Sequence, residues 1–165
     1  MGNTTSFSDP SGDRLCTLLK SKKTLLIPGT FDALSALIAK QAGFEALYLS
    51  GFSVSGSMLA KPDIGLVTAS EMTERARQIV AAVGDTPLIA DGDNGYGGEH
   101  NVARLVNAYE QAGVQSIQLE DQVSPKRCGH MDKKQVVTFE EAVSKIGMAV
   151  RSRQSKEFLI MARTD

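Results

Sequence analysis

The chain has 165 residues, 42% of them hydrophobic and 22% charged, with a net charge of −1 at pH 7. This length and composition suit one ordinary domain with its own core, and the balanced charge argues against nucleic-acid binding, which usually needs a basic excess. The sequence shows no apolar run long enough to span a membrane and no secretory signal, so we expect no membrane partner. A cytoplasmic location is the default expectation, with a mitochondrion or another organelle as the alternative.

The pattern of apolar residues predicts an alternation of helices and strands. The first dozen residues, 1–12, are small and polar and are predicted to form a flexible arm, which leaves residues 13–165 for the folded domain. Apolar periodicity and capping residues predict helices over 14–22, 32–41, 68–83, 101–112 and 138–153. Compact apolar runs predict strands over 24–27, 46–49, 87–90, 114–119 and 158–162.

The order of these elements predicts an α/β fold. The strands are short and almost entirely apolar, as expected when a parallel sheet is buried on both faces. Repeated βα units form either a doubly wound open sheet or a (β/α)₈ barrel. A G-x-G-x-x-G motif does not follow the first predicted strand, which weakens the dinucleotide-binding version of the open sheet.

Polar and charged residues recur where the predicted strands end. In a barrel these ends form a single ring at the C-terminal face, where active sites lie. Strand ends also need polar residues for structural reasons, but ionisable groups from several successive ends indicate a site. The residues concerned are Ser50 and Gly51, Asp91 and Asp93, Glu120 and Asp121, and Arg163 and Asp165.

The loop Lys126-Arg127-Cys128-Gly129-His130 carries a second chemical signal. A thiolate forms near neutral pH when positive charge lies close by, and this loop supplies such charge on both sides of Cys128. The charged neighbours also predict that Cys128 lies outside the core, although a lone cysteine is more often a small core residue. Together with carboxylates that could hold a hard cation such as magnesium, the loop indicates chemistry on a small carboxylate.

Several strings resemble the isocitrate lyase and phosphoenolpyruvate mutase superfamily. They are DGDNGYG at 91–97, LEDQ at 119–122, PKRCGH at 125–130, PGTFDA at 28–33 and LSG at 49–51. The resemblance runs from about Lys23 to the last residue, and its most specific part is the KRCGH string that follows the acids. It is strongest to the 2-methylisocitrate lyase, dimethylmalate lyase and carboxyphosphonoenolpyruvate mutase branch.

This resemblance implies a (β/α)₈ TIM barrel, of which the chain covers about the first five βα units. It also implies a Mg²⁺ cofactor, with Mn²⁺ as an alternative. Asp91, Asp93 and Glu120 would hold the ion, some of them through water, and Asp63 would lie near the waters of the metal.

The resemblance also assigns substrate-binding residues. Ser50, Gly51 and the amide of Phe52 would bind the α-keto acid portion of the substrate, and Arg163 would pair with its carboxylate. The segment from Lys126 to His130 would be a mobile loop that closes over the substrate and brings in Cys128.

The implied activity is the cleavage of a carbon–carbon bond. The substrate would be a 2-hydroxy di- or tricarboxylate of the methylisocitrate or dimethylmalate type, and the products an α-keto acid and a carboxylate. Tyr48 is a candidate base, and Cys128 would protonate the carbanion. The full-length form is expected to be a homo-oligomer, a tetramer built as a dimer of dimers.

Three alternatives stay open at this point: a carboxyphosphonoenolpyruvate mutase, an oxaloacetate-cleaving enzyme, or an inactive truncated chain that acts as an interaction module. A complete barrel needs eight strands and roughly 250 residues, so the chain is either a fragment or relies on a partner to cover an open edge. Phe52 and Asn94 also depart from the expected family pattern, which leaves the identity of the substrate undetermined.

Overall fold

The computed structural model of the chain describes residues 10–21 and 24–165. Most of the predicted arm, residues 1–9, lies outside the described residues and stays a prediction. The elements in chain order are α1 (Pro10–Ser21), β1 (Gly29–Thr30), α2 (Ala33–Gln41), β2 (Leu47–Leu49), α3 (Gly51–Leu59), α4 (Ala69–Val83), β3 (Leu88–Asp91), α5 (Glu99–Gln111), β4 (Ser116–Glu120), α6 (Phe139–Ser152) and β5 (Leu159–Arg163). In this part of the chain, each helix is too short or too polar to cross a bilayer.

The five strands form one parallel sheet in the order β1-β2-β3-β4-β5. Every strand therefore lies beside its neighbour in sequence. A doubly wound sheet reverses its strand order at a switch point, whereas a barrel keeps the sequential order seen here. The order thus favours the barrel over the open sheet.

The two faces of the sheet carry different side chains, apolar ones towards the helices and polar ones on the other face at the strand ends. On one face the main apolar cluster joins the strands to the helices, and Ile117 and Leu119 of β4 belong to it. Because side chains alternate along a strand, Ser116, Gln118 and Glu120 point to the opposite, inner face. The polar groups at the strand ends are therefore gathered on the inner face, away from the helices.

The N-terminal end of the inner face is closed by α1. Leu15 and Leu18 of this helix are buried against Ala46 and Ile89, and Ile27 packs on the same cluster. This small apolar layer lies at the opposite end from the polar strand ends. It leaves one end of the inner face, the C-terminal one, for chemistry.

The predicted helix starts are confirmed where a capping residue marks them. Asp32 caps α2 by accepting from the Ser35 amide, and Thr68 caps α4 in a reciprocal box with Glu71. Thr138 caps α6 by accepting from the Glu141 amide. Each cap offsets amides that would otherwise have no partner in the first helical turn.

Two predicted elements need correction, and one observed helix was not predicted. The strand predicted over 24–27 is wrong, because β1 is the two-residue segment Gly29–Thr30 after Pro28, and Ile27 packs on α1 without pairing. Helix α3, Gly51–Leu59, was not predicted, since glycine and serine are weak helix formers. Helix α1 begins at Pro10, four residues before the predicted start at residue 14.

Gly92, directly after β3, allows β3 and β4 to lie close together. A Cβ atom at this position would lie 2.7 Å from Ile117 Cδ1 and 2.9 Å from the Gln118 carbonyl oxygen. We expect Gly92→Ala to lower the free energy of unfolding by at least about 2 kcal/mol, because backbone cannot give way cheaply. Gly56→Ala is the matched control: a Cβ there meets nothing within 4 Å, so the change should be neutral or stabilising. Equal denaturation midpoints for the two variants would contradict this account.

Candidate active site

A cavity of about 420 Å³ opens at the C-terminal ends of the strands, and ten of the twelve sequence-predicted site residues line it. Its lining is Tyr48, Ser50, Phe52, Asp63, Asp91, Glu120, Lys126, Cys128, Gly129, His130 and Arg163. The other two predicted residues adjoin it. The Gly51 amide donates to Asp91 Oδ2 at 3.2 Å, and Asp93 Oδ1 lies 2.6 Å from Lys126 Nζ.

Two larger cavities each contact only part of this set of residues, Glu120 and Arg163 in one and Asp93 and Lys126 in the other. One, of about 670 Å³, is a mostly apolar groove along α6 and β5. The other, of about 610 Å³, lies between α4 and α5 and reaches Asp93 and Lys126 from outside. Size alone would therefore select the wrong place, whereas the convergence of ionisable groups selects the 420 Å³ cavity.

Asp91 and Asp93 are held close to each other by the turn after β3. The Asp93 amide donates to Asp91 Oδ1 at 3.0 Å, and Asp93 has a left-handed backbone with a φ of 46°. Burial and the neighbouring Asp91 charge raise the pKa of Asp93 to about 6, and burial also raises the pKa of Asp91. Two carboxylates so placed repel each other unless a cation lies between them.

Glu120 lies at the end of β4 on the same face. It is 7% exposed, and burial raises its pKa to about 7 although Arg163 opposes the shift. Glu120 Oε2 pairs with Arg163 Nη1 at 3.0 Å. Its other oxygen, Oε1, is buried and has no hydrogen-bond partner among the described residues.

Lys126 joins the loop to the acidic cluster. Its ammonium group lies 2.6 Å from Asp63 Oδ1 and 2.6 Å from Asp93 Oδ1, and the side chain is 5% exposed. Burial alone would lower the pKa of Lys126, but the two carboxylates outweigh it and hold the pKa above the ordinary lysine value. Lys126 is therefore a fixed positive charge at neutral pH.

Cys128 forms part of the cavity wall. The sequence predicts that Cys128 lies outside the core. This prediction is wrong, because Cys128 is buried and only 8% exposed. The burial comes from docking of the loop, because the Cys128 amide donates to the Asp63 carbonyl at 2.9 Å. Among the described residues it belongs to neither apolar cluster, so its burial does not reflect ordinary core packing.

Gln122, which was not proposed as a site residue, anchors the loop. Its Oε1 accepts from the Arg127 amide at 2.9 Å, and its Nε2 donates to the Arg127 carbonyl at 2.9 Å and to Asp165 Oδ2 at 3.0 Å. Asn94 supports the same region by donating to the Gln122 carbonyl at 3.3 Å. The unexplained Asn94 thus links the ends of β3 and β4. The predicted mobility of the loop is not tested by this docked arrangement.

Tyr48 reaches the cavity from β2. Burial and the nearby Asp91 charge raise the pKa of its phenol well above the ordinary tyrosine value. A tyrosine that keeps its proton at neutral pH is a hydrogen-bond donor and is poorly suited to act as a base. The raised pKa is therefore more consistent with a hydrogen-bond donor, and the base role of Tyr48 stays a prediction.

The residues present fit a hard cation that retains most of its water. Among the described residues, no group of three or more histidine, cysteine or carboxylate side chains is arranged to enclose a metal ion. Magnesium does not need such an enclosure, because one or two carboxylates and several waters satisfy it. The unpartnered Glu120 Oε1 and the adjacent Asp91 and Asp93 provide that kind of donor set.

The raised carboxylate pKa values predict how stability depends on pH without metal. A carboxyl group with a raised folded-state pKa binds its proton more tightly in the folded chain, so its stabilising contribution is lost as pH rises through that pKa. For Glu120, this contribution is lost as the pH rises from the unperturbed pKa of 4.5 to the folded-state pKa of about 7. With a chelator present, urea midpoints should be higher at about pH 5 than at about pH 7.5. Glu120→Gln should flatten this difference, and an unchanged pH slope in that variant would contradict the assignment.

A sequential parallel βα sheet with ionisable groups at the C-terminal strand ends has the architecture of TIM-barrel enzymes. Residues 15–165 match the family described as phosphoenolpyruvate phosphomutase. The chain belongs to this family, within the phosphoenolpyruvate mutase and isocitrate lyase superfamily, and the predicted superfamily and fold class are thereby confirmed.

Three similar proteins illustrate the range of the family. The 2,3-dimethylmalate lyase of Eubacterium barkeri is 51% identical over 148 residues, a match that covers 90% of this chain and 51% of the lyase. The structure of oxaloacetate acetylhydrolase with 3,3-difluorooxalacetate has a TM-score of 0.88 at 39% identity, covering 93% of this chain and 54% of that one. Phosphonopyruvate hydrolase in complex with oxalate and Mg²⁺ has a TM-score of 0.84 at 35% identity, covering 93% and 52%. The chain thus spans about half the length of these relatives.

Proposed function

We propose that this chain supplies the N-terminal half of a divalent-metal-dependent carbon–carbon lyase. The substrate would be a 2-hydroxy di- or tricarboxylate of the dimethylmalate or methylisocitrate type, cleaved to an α-keto acid and a carboxylate. The observation that carries the proposal is the cavity into which ionisable side chains from three strand ends, Asp91, Glu120 and Arg163, converge with the ammonium and thiol groups of one loop. The 51% identity to a dimethylmalate lyase supports this choice of reaction.

The acidic cluster would hold the cation. Asp91, Asp93 and Glu120 would contribute ligands, some through water, and Asp63 would accept from waters at its edge. When bound, Mg²⁺ would supply positive charge that stabilises negative charge on the substrate oxygens. The oxalate and Mg²⁺ in the similar phosphonopyruvate hydrolase support this proposal, because oxalate resembles the carboxylate end of an α-keto acid.

The start of α3 and Arg163 would bind the organic acid. Ser50 and Gly51 lie at the N-terminus of α3, where backbone amides favour an anion, and the Phe52 amide is part of the same turn. Arg163 is held in the cavity by Glu120 and Asp165, with Nη2 2.7 Å from Asp165 Oδ1. A substrate carboxylate would pair with the guanidinium group from the open side.

The docked loop would deliver the proton. The 2-hydroxyl group would give its proton to a carboxylate of the acidic cluster, for which Glu120 with its pKa of about 7 is suited, and its oxygen would become the keto oxygen as the carbon–carbon bond breaks. The electron pair of that bond would stay with the departing carboxylate fragment, and Cys128 would give its proton to that carbon. Lys126 would stabilise the negative charge, and His130 at the cavity rim would help to exclude water. Together these groups supply general acid catalysis inside a closed site.

A second candidate is cleavage of oxaloacetate on the same scaffold, which the similarity to oxaloacetate acetylhydrolase favours. The two reactions use the same carboxylate cavity and differ in what occupies the space beside the reacting carbon. Phe52, a 58% exposed aromatic ring on the lining, is the group most able to distinguish them.

A turnover assay on the protein extended to the length of its relatives tests the proposal. Dimethylmalate, methylisocitrate, oxaloacetate and a carboxyphosphonate substrate would be compared, with the products of each measured by NMR, because oxaloacetate is itself an α-keto acid. We expect keto acid from a 2-hydroxy diacid, loss of activity with a chelator and recovery with Mg²⁺. Turnover of the carboxyphosphonate alone, or activity that survives the chelator, would contradict the proposal.

A further inference from the structure

Gln118 lies on the inner face of the sheet, beside the proposed site but outside its lining. It belongs to β4, in register with Asp91 of β3 and Met161 of β5. Glu120, two residues further along the same strand, lines the cavity. Because side chains alternate along a strand, Gln118 and Glu120 share a face.

The side chain of Gln118 makes one specific contact across the sheet. Its Nε2 donates a hydrogen bond of 3.0 Å to the hydroxyl oxygen of Tyr48, which lies on β2, two strands away. Tyr48 in turn lines the cavity. Glutamine is suited to this contact because its NH₂ group can only donate and does not change charge with pH.

This contact decides which way the Tyr48 proton can point. A phenol oxygen that accepts from an N–H group directs its own proton away from that donor. Tyr48 lines the cavity together with Asp91 and Arg163. A phenol ordinarily keeps its proton at neutral pH, so the Tyr48 hydroxyl has a proton to donate.

We propose that Gln118 is a positioning residue that acts through Tyr48. Its amide orients the Tyr48 hydroxyl so that the phenol donates a hydrogen bond to an anionic oxygen of the organic acid in the cavity. The inference rests on the proposed function, since it requires that the cavity takes a carboxylate of the α-keto acid type. It adds a residue that sequence reasoning did not select and a role for Tyr48 as a donor.

A double-mutant cycle tests the proposal, with oxalate in the presence of Mg²⁺ as the probe and calorimetry as the readout. Gln118→Met keeps the length of the side chain and removes the donor, and it should weaken oxalate binding by about tenfold, as Tyr48→Phe should. In the Tyr48→Phe background, Gln118→Met should have no further effect, because the group through which it acts is gone. Gln118→His retains an N–H donor and should recover most of the affinity.

The outcomes separate this inference from the proposed function. If the wild-type chain binds oxalate with Mg²⁺ but the two single effects add in the double variant, Gln118 has only a structural role and the inference is wrong. The cycle is measured in the protein extended to the length of its relatives, and if that wild-type protein fails to bind oxalate with Mg²⁺, the proposed function is wrong and the inference falls with it. Gln118→Glu covers the case in which Gln118→Met does not fold. The glutamate side chain differs from glutamine only at its terminal group, which accepts a hydrogen bond instead of donating one. Wild-type oxalate affinity in this variant would therefore overturn the inference.

Discussion

Replacement of Cys128 by serine is expected to reduce lyase turnover by at least about two orders of magnitude, the usual range for loss of a general acid. A serine hydroxyl is a far weaker acid than a thiol, so proton delivery to the carbanion is lost. The affinity for an α-keto acid product should change little, because the cationic and amide groups that bind the acid remain. The expected signature is therefore a fall in kcat with a nearly unchanged product affinity.

The measurement uses the protein at the full length of its relatives, with kcat from steady-state kinetics and product affinity from calorimetry. Cys16→Ser is the matched control, since Cys16 lies on α1 and is also a free thiol. It should leave both quantities unchanged. Wild-type turnover in the Cys128→Ser enzyme would show that the thiol is not the acid.

The 165-residue chain alone is expected to show no measurable lyase turnover. In the described sheet β1 pairs only with β2, and β5 pairs only with β4, so both sides of the sheet are open. Arg163, on β5, therefore forms part of an unclosed wall, and its side chain is 30% exposed. Catalysis of this kind depends on a dry, shaped site, and an open one leaves water at the reacting groups.

Exposed apolar side chains next to the two open edges support the same expectation. Phe139 and Val143 of α6 are 78% and 53% exposed, and Leu34 and Ile38 of α2 are 65% and 57% exposed. Such surfaces favour association, so light scattering should accompany the assay. An extended protein should turn over a 2-hydroxy diacid under the same conditions. Ordinary enzymatic turnover by the purified, monomeric 165-residue chain would contradict this expectation.

Most of the fold could be predicted from the sequence because its signals are local. Apolar runs separated by periodic helices predicted the five βα units, and Thr68 and Thr138 marked helix starts through caps that need only neighbouring residues. The run at 24–27 misled because an apolar segment can pack part of its side chains on a small cluster, here Leu25 and Ile27, without pairing in a sheet. Helix α3 was missed because its sequence is rich in glycine and serine, and its stability depends on packing of residues such as Val54.

The charged groups of the site could be predicted from the sequence, but the glutamine side chains that support them could not. Strand ends converge in any parallel barrel, so Asp91, Glu120 and Arg163 could be placed together without coordinates. Gln118 and Gln122 carry no charge, and although Gln122 ends the LEDQ string, its residue type alone indicates neither a metal ligand nor a nucleophile. Their contacts depend on strand register and on the path of a docked loop, which a single sequence does not define.

The proposed function requires that the carboxylates at the strand ends hold a divalent cation at the cavity. Manganese, which can replace Mg²⁺ and has an electron-spin signal, measures this directly in the 165-residue chain. We expect Mn²⁺ to bind with several waters retained. Asp91→Asn and Glu120→Gln should each weaken Mn²⁺ binding by more than about tenfold. The control Asp85→Asn, at an exposed position, should have no effect. Mn²⁺ binding that is unchanged in both site variants would show that the ion is held elsewhere and would contradict the account.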